Sequence, residues 1–201
     1  MKSDVIELRD LYDFVRRNRK RYQAMNLMSA ASRPYSKLCK EAAKDVAESQ
    51  GFYLWGYYEK TGLWRNVYLG KAGHSKRASL RKRILEELKD ERCCVWRAVH
   101  SETRLLQLVR KVHSNRSQWE KITRYWKRSL GKAGTTHIIW VETPQLSNSD
   151  VKRIESDLIE AMNPRANRQR PAPPIRVLQK DTADIFRLLR EEIHEHRPKS
   201  K

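Results

Sequence analysis

The chain has 201 residues, room for one domain of ordinary size with extensions or for two small ones. It is 39% hydrophobic and 33% charged, and 43 Lys and Arg against 24 Asp and Glu leave a formal net charge of +19, a balance that points to a polyanionic partner because each neutralised phosphate releases condensed counterions. No apolar run approaches transmembrane length, and three cysteines, Cys39 and the adjacent Cys93 and Cys94, make a poor disulfide framework and suit a reducing compartment.

The N-terminus, MKSDVIELRDLYDFVRRNRKRYQ, has no apolar signal core and no small-residue cleavage site, so a cytoplasmic protein without a secretory signal is expected. Val5, Leu8, Leu11, Phe14 and Val15 form a helical stripe over Ser3–Gln23. Its acidic start and basic end suit the helix dipole of a soluble helix, and equally a basic helix lying on an acidic membrane. The run Arg16–Arg21 closes it as a solvated face or a phosphate contact. Ser32–Gln50 reads as a second helix, with Pro34 near its start, where a missing amide donor is tolerated.

GFYLWGYY from Gly51 and RNVYLG up to Gly70 read as two antiparallel strands joined by a loop at Glu59–Leu63. After the loop KAGHSK, Leu80, Ile84, Leu85 and Leu88 mark a helix. Cys93–Lys132 reads as two helices with core stripes, Leu105, Leu106, Leu108, Val109 and Val112 on the first and Trp119, Ile122, Trp126 and Leu130 on the second. No C-x-x-C unit accompanies Cys93 and Cys94, so a zinc site built with His100 and His113 is not expected. Thr135–Glu142 is a third strand, apolar enough in its middle to be central or covered on both faces. Ser147 and Asp150 look like a capping pair for a helix with Val151, Ile154, Leu158 and Ile159 on its buried side, stopped at Asn163-Pro164. RPAPP at 170–174 is a stiff linker, and Asp181–His194 is a last helix with Ile185, Leu188 and Leu189 inward.

Two triplets on the early strands, Gly51-Phe52-Tyr53 and Tyr68-Leu69-Gly70, resemble the motifs that open GIY-YIG family endonucleases. Leu80-Arg81-Lys82-Arg83-Ile84 is similar to the family's following helix and implicates Arg83. The enlarged loop before it leaves Arg81 and Arg77 as competitors. Glu155 in VKRIESDLIEAMNPRAN stands before Asn163, Pro164 and Asn167 at the family's spacing with no gap. The resemblance covers about residues 50–168. It implies an α/β fold, a small three-stranded antiparallel sheet flanked by helices. It also divides the chain into an N-terminal helical extension (1–48), a nuclease domain (49–170) with a helical insertion at about 93–132, and a linker, C-terminal helix and basic tail (171–201).

The activity so implied is hydrolysis of DNA phosphodiester bonds, on double-stranded DNA, with one magnesium or manganese ion held by Glu155. A hard carboxylate with waters and phosphate suits either cation. Tyr53 and Tyr68 would surround the attacking water. Either of them, or Lys71 after the second triplet, would be the general base, and Lys71 is alternatively a phosphate ligand. A free phenol titrates near ~10, so a tyrosine base needs a cation beside it. Arg83 would place its donor fork on the scissile phosphate, Asn167 would orient the site through its amide, and Gly70 would permit close approach. The products would carry a 5′ phosphate and a 3′ hydroxyl. Helical extensions on both sides suit a phage, mobile-element or restriction enzyme and are candidate DNA readers or homodimer surfaces. The alternative is a non-catalytic nucleic-acid-binding module that keeps the same fold.

Overall fold

In a computed structural model the described residues are 1–24, 33–73, 79–90, 93–112, 132–167 and 178–198. Four strands, β1 (Ser3–Glu7), β2 (Gly51–Tyr58), β3 (Trp64–Ala72) and β4 (His137–Glu142), form one antiparallel sheet in the order β1-β4-β2-β3. The helices are α1 (Arg9–Arg17), α2 (Arg19–Ala24), α3 (Arg33–Ala42), α4 (Leu80–Lys89), α5 (Glu102–Val112), α6 (Asn148–Met162) and α7 (Lys180–Glu195), with a 3-10 turn at Cys94–Ala98. None of these helices is long and apolar enough to cross a membrane.

The sheet corrects the expectation of three strands. Residues Ser3–Glu7 are not the first turns of a helix but a strand, and the helix begins at Arg9. The reason lies in β4, whose Ile138, Ile139, Trp140 and Val141 are all buried. A strand covered on both faces must also satisfy its backbone on both edges. β2 pairs with one edge, and β1 pairs with the other from Ser3↔Val141 to Glu7↔His137. The spacing of Val5, Leu8 and Leu11 imitates a helical stripe only because the strand hands over to α1 at Leu8, whose amide donates to the Thr136 carbonyl at 2.8 Å.

Alternation along β2 sends its side chains to two different cores. Tyr53 and Trp55 join Ile6, Ile138 and Trp140 beneath α1, α3, α4 and the 3-10 turn. Phe52 and Leu54 join Leu69, Ile139 and Val141 beneath α6 and α7. Expected elements recur closely. The hairpin loop falls at Glu59–Leu63, and α4 keeps Leu80, Ile84 and Leu88 buried. Ser147 caps α6 by accepting from the Asp150 amide at 3.2 Å. Asn163 ends α6 in the left-handed region, φ 48°, which asparagine tolerates better than most residues. The second helix of the insertion, the 170–174 linker and the loop containing His74–Arg77 fall on residues outside the described set, apart from Lys71–Gly73.

β3 is the outer strand, and the segment after α6 runs along its open edge. The Ala166 amide donates to the Val67 carbonyl at 2.8 Å. The Asn167 side chain behaves like a short strand: its Oδ1 accepts from the Leu69 amide at 2.7 Å and its Nδ2 donates to the Leu69 carbonyl at 2.8 Å. Both edge groups of Leu69 are thereby satisfied. Asn167→Ala strips both partners at once and is expected to destabilise the fold by about 1–3 kcal/mol, read as a lower urea midpoint. An unshifted midpoint would mean that water replaces the clamp at no cost.

Candidate functional site

The buried stripe of α4, Leu80, Ile84 and Leu88, fixes what its flank presents. Arg83 and Glu87 each precede a buried residue, lie one turn apart, and point along the same side toward β2. There the Tyr53 hydroxyl donates to Glu87 Oε1 at 2.5 Å. Arg83 Nε donates to the Tyr53 oxygen at 3.3 Å, and its Nη2 lies 3.1 Å from Glu87 Oε1. The second carboxylate oxygen of Glu87 takes Lys132 Nζ at 2.6 Å. Lys132 in turn sits over the Tyr68 ring at 4.0 Å and the Trp55 ring at 4.7 Å. A desolvated cation over such rings contributes about 2 kcal/mol.

Burial and charge assign different characters to these groups. Tyr53 is fully buried, and burial first, then the Glu87 carboxylate and Tyr68, push its phenol well above the ordinary value against the pull of Arg83. Burial also pushes Glu87 upward, but Lys132, Arg83 and the Tyr53 hydroxyl together outweigh it, and its carboxyl ends below the usual range. Arg83 keeps 46% of its side chain exposed, so one end of the network faces solvent as a guanidinium.

Gly70 is the register partner of Tyr53 across the hairpin. A Cβ at Gly70 would overlap Cζ and the hydroxyl of Tyr53. The ring is fully buried and its hydroxyl is held by Glu87, so Gly70→Ala is expected to destabilise by about 1–3 kcal/mol and to displace Tyr53 from Glu87. A melting temperature equal to the parent's would contradict this. Gly51 is under a similar constraint, since a Cβ there would meet the Val141 carbonyl and Leu80.

Glu155 lies elsewhere. It flanks the buried residues Val151, Ile154 and Leu158 of α6, and its Oε2 takes Lys71 Nζ at 2.6 Å. Pleat alternation puts Lys71 on the α6 side of β3 with Leu69, whereas Tyr68 and Gly70 face α4. Lys71 and Glu155 are therefore across the outer strand from Tyr53, Tyr68 and Arg83. Asn167 is joined to Leu69 of the same strand, so every one of the six sequence-derived residues is on β3 or within reach of it or its neighbour β2. Glu155 remains 27% exposed and is a single hard carboxylate, a donor that fits a cation keeping most of its waters; Lys71 now fills the position of its counter-ion. Asp157, close by in sequence, is engaged with Arg153 at 3.2 Å and with the Thr182 hydroxyl of α7 at 3.3 Å.

The geometry separates the arginines left open by sequence. Arg81 gives its donors to the Val46 and Lys44 carbonyls at 2.9 and 2.7 Å and to Glu48 at 2.6 Å, locking α4 to the turns after α3. Arg83 is the arginine of α4 that meets Tyr53. Arg77 is outside the described residues. Tyr58 donates to the Ile193 carbonyl at 2.6 Å, a packing role, and Tyr57 lies under Arg165 at 5.6 Å.

Sequence reasoning missed Glu87 and Lys132. Glu87 carried a usable signal, four residues beyond Arg83 on the same flank of the Leu80–Ile84–Leu88 stripe. Lys132 carried none, because it is 45 residues from Glu87 and arrives from the end of the insertion. All three cysteines are buried free thiols. Comparison of this chain with protein-family models, with curated proteins and with solved structures found no match.

Proposed function

We propose that this chain is a DNA endonuclease of the GIY-YIG type, hydrolysing phosphodiester bonds with one divalent metal ion. The observation that carries the reading is the meeting of Tyr53, Tyr68, Gly70 and a half-exposed Arg83 where the β2–β3 hairpin faces α4, in the order of the motifs that suggested them. Glu155, the carboxylate of the same resemblance, stands on α6 across the outer strand β3 from that group, paired with Lys71 of the strand.

On this reading Arg83 binds the scissile phosphate with its exposed donors and stays charged throughout. The Tyr53 hydroxyl is committed to Glu87, so Tyr53 holds Arg83 in place rather than taking a proton from water. Tyr68, whose ring lies 6.3 Å from that of Tyr53 and under the Lys132 ammonium at 4.0 Å, is then the tyrosine left for the attacking water, with Lys71 as the rival base. Glu155 would hold magnesium or manganese after Lys71 moves aside to the phosphate. The bound ion supplies charge neutralisation on the phosphate.

The second reading, a binding module without catalysis, has one observation in its favour: Glu155 is already neutralised by Lys71. The two are separated by incubating the protein with supercoiled plasmid, linear duplex, branched and single-stranded DNA in magnesium or manganese and in chelator. Cleavage that chelator stops supports the nuclease. Binding of the same DNAs with none of them cut supports the module.

A further inference from the structure

The cations at the α1–α2 corner lie outside the Tyr53–Arg83–Glu87 network. Arg16, Arg17, Arg19, Lys20 and Arg21 are all exposed, and Asn18 is the one neutral residue among them. Arg16 and Arg17 close α1, where its dipole welcomes them, and both lean on Asp13: Arg16 pairs with its carboxylate at 3.2 Å and Arg17 bonds to its carbonyl at 3.3 Å. Arg19, Lys20 and Arg21 lie beyond that helix end, and no carboxylate is recorded within ion-pair distance of any of them among the described residues. Three like charges in sequence, held together without an internal counter-ion, repel one another.

They are nevertheless held rigidly. Asn18 donates from its backbone and its side chain to the Phe14 carbonyl at 3.1 and 2.9 Å, and Tyr22 donates its amide to Asn18 at 3.1 Å. Val15 and Tyr22 are buried on either side of the run, and Tyr22 meets Trp96 edge-on at 5.3 Å. The Gln23 amide adds a bond to the Val99 carbonyl at 2.9 Å. The corner is thus a fixed cationic ridge, on the same face of the sheet as Arg83.

We propose that the α1–α2 ridge, Arg16–Arg21, binds the phosphate backbone of duplex DNA outside the cleavage centre. Charge complementarity selects the partner class: five cations within six residues, of which Arg19, Lys20 and Arg21 have no carboxylate partner among the described residues, match a polyphosphate and gain from counterion release. The other anionic surface, a membrane, needs an apolar face to insert alongside the cations. Here that face is spent inside the protein, since Leu11, Val15 and Tyr22 are at most 3% exposed. The proposal shares its partner, DNA, with the proposed function but not its chemistry.

The test uses the full chain carrying Glu155→Gln, in chelator, so that cutting and binding are read apart. A labelled duplex is titrated by fluorescence anisotropy across a range of salt, with the parent and with Arg19→Ala/Lys20→Ala/Arg21→Ala. Each lost phosphate contact removes about 0.9 from the slope of log affinity against log salt, so the triple variant is expected to lose about 2 to 3 in slope and at least tenfold in affinity near 0.1 M salt. A control triple on the other face of the sheet, Lys180→Ala/Arg187→Ala/Arg190→Ala, is expected to change the slope far less. Equal losses in both triples would reduce the ridge to bulk charge and overturn the proposal, as would an unchanged slope in the ridge variant. Patch-dependent binding to phosphatidylserine vesicles in place of DNA would overturn it in favour of a membrane. Circular dichroism confirms that the exposed substitutions leave the fold intact. Parent chain that binds through the ridge yet never cuts would sink the nuclease reading alone.

Discussion

Glu155→Gln is expected to lower the DNA cleavage rate by two orders of magnitude or more, while DNA affinity in chelator stays equal or tightens slightly. The amide keeps the size of the carboxylate and can still accept from Lys71, so packing along α6 is undisturbed. What disappears is the negative charge that would hold a hard cation beside the phosphate. Removing one preorganised electrostatic contributor typically costs about 10²–10³ in rate. Affinity moves the other way because a negative charge near the DNA is deleted from a chain of net charge +19. The measurement is single-turnover cleavage of a labelled duplex in saturating magnesium, beside anisotropy in chelator. A variant that cuts at the parent's rate would move the metal site away from Glu155.

The second large effect concerns stability. Lys132→Met keeps the bulk of the stem but strips Glu87 of its closest cation, 2.6 Å away in a site where both side chains are about one-tenth exposed. Breaking a buried pair by removing one partner costs about 3–5 kcal/mol; Arg83, 3.1 Å from the other oxygen, remains and holds the expected loss to the lower end, about 3 kcal/mol. The effect has a pH signature. The folded-state pKa of Glu87 is depressed, so its contribution is fully present above the unfolded value, roughly 4.3, and is lost as pH falls through the lower folded value. The gap between parent and variant should therefore be widest at neutral pH and narrow in the acid range. Urea unfolding at neutral and acid pH checks both. Identical midpoints at neutral pH would show that Lys132 contributes nothing to the network, and a gap that widens in acid would show that Glu87 is not its partner.

The legible and illegible parts of this molecule differ by the range of the interaction that creates them. The hairpin at Gly51–Ala72, the stripe of α4 and the cap of α6 by Ser147 depend on neighbours a few residues apart, and they are read from local pattern. Glu155 is a candidate by its spacing to Asn163-Pro164 and Asn167, and its pairing with Lys71 is not legible from that spacing. β1 was missed because pairing with a strand more than a hundred residues away decides whether Val5 and Ile6 are strand or helix. The choice between Arg83 and Arg81 was undecidable without the turns after α3, whose carbonyls and Glu48 consume Arg81. The Asn167 clamp on Leu69 shows an amide with a structural duty where the resemblance implies an orienting one. The Glu87–Lys132 pair joins α4 to the end of the insertion, and no local pattern announces it.

The most direct test of the central claim is the chemistry of the ends. Supercoiled plasmid incubated with the purified protein and magnesium is expected to become nicked or linear, and the nicks are expected to be resealed by a DNA ligase, because hydrolysis of the kind proposed leaves a 5′ phosphate and a 3′ hydroxyl. The same incubation in chelator should leave the plasmid supercoiled. Plasmid that is bound yet stays intact in magnesium and manganese, or that is cut equally well in chelator, would contradict the account.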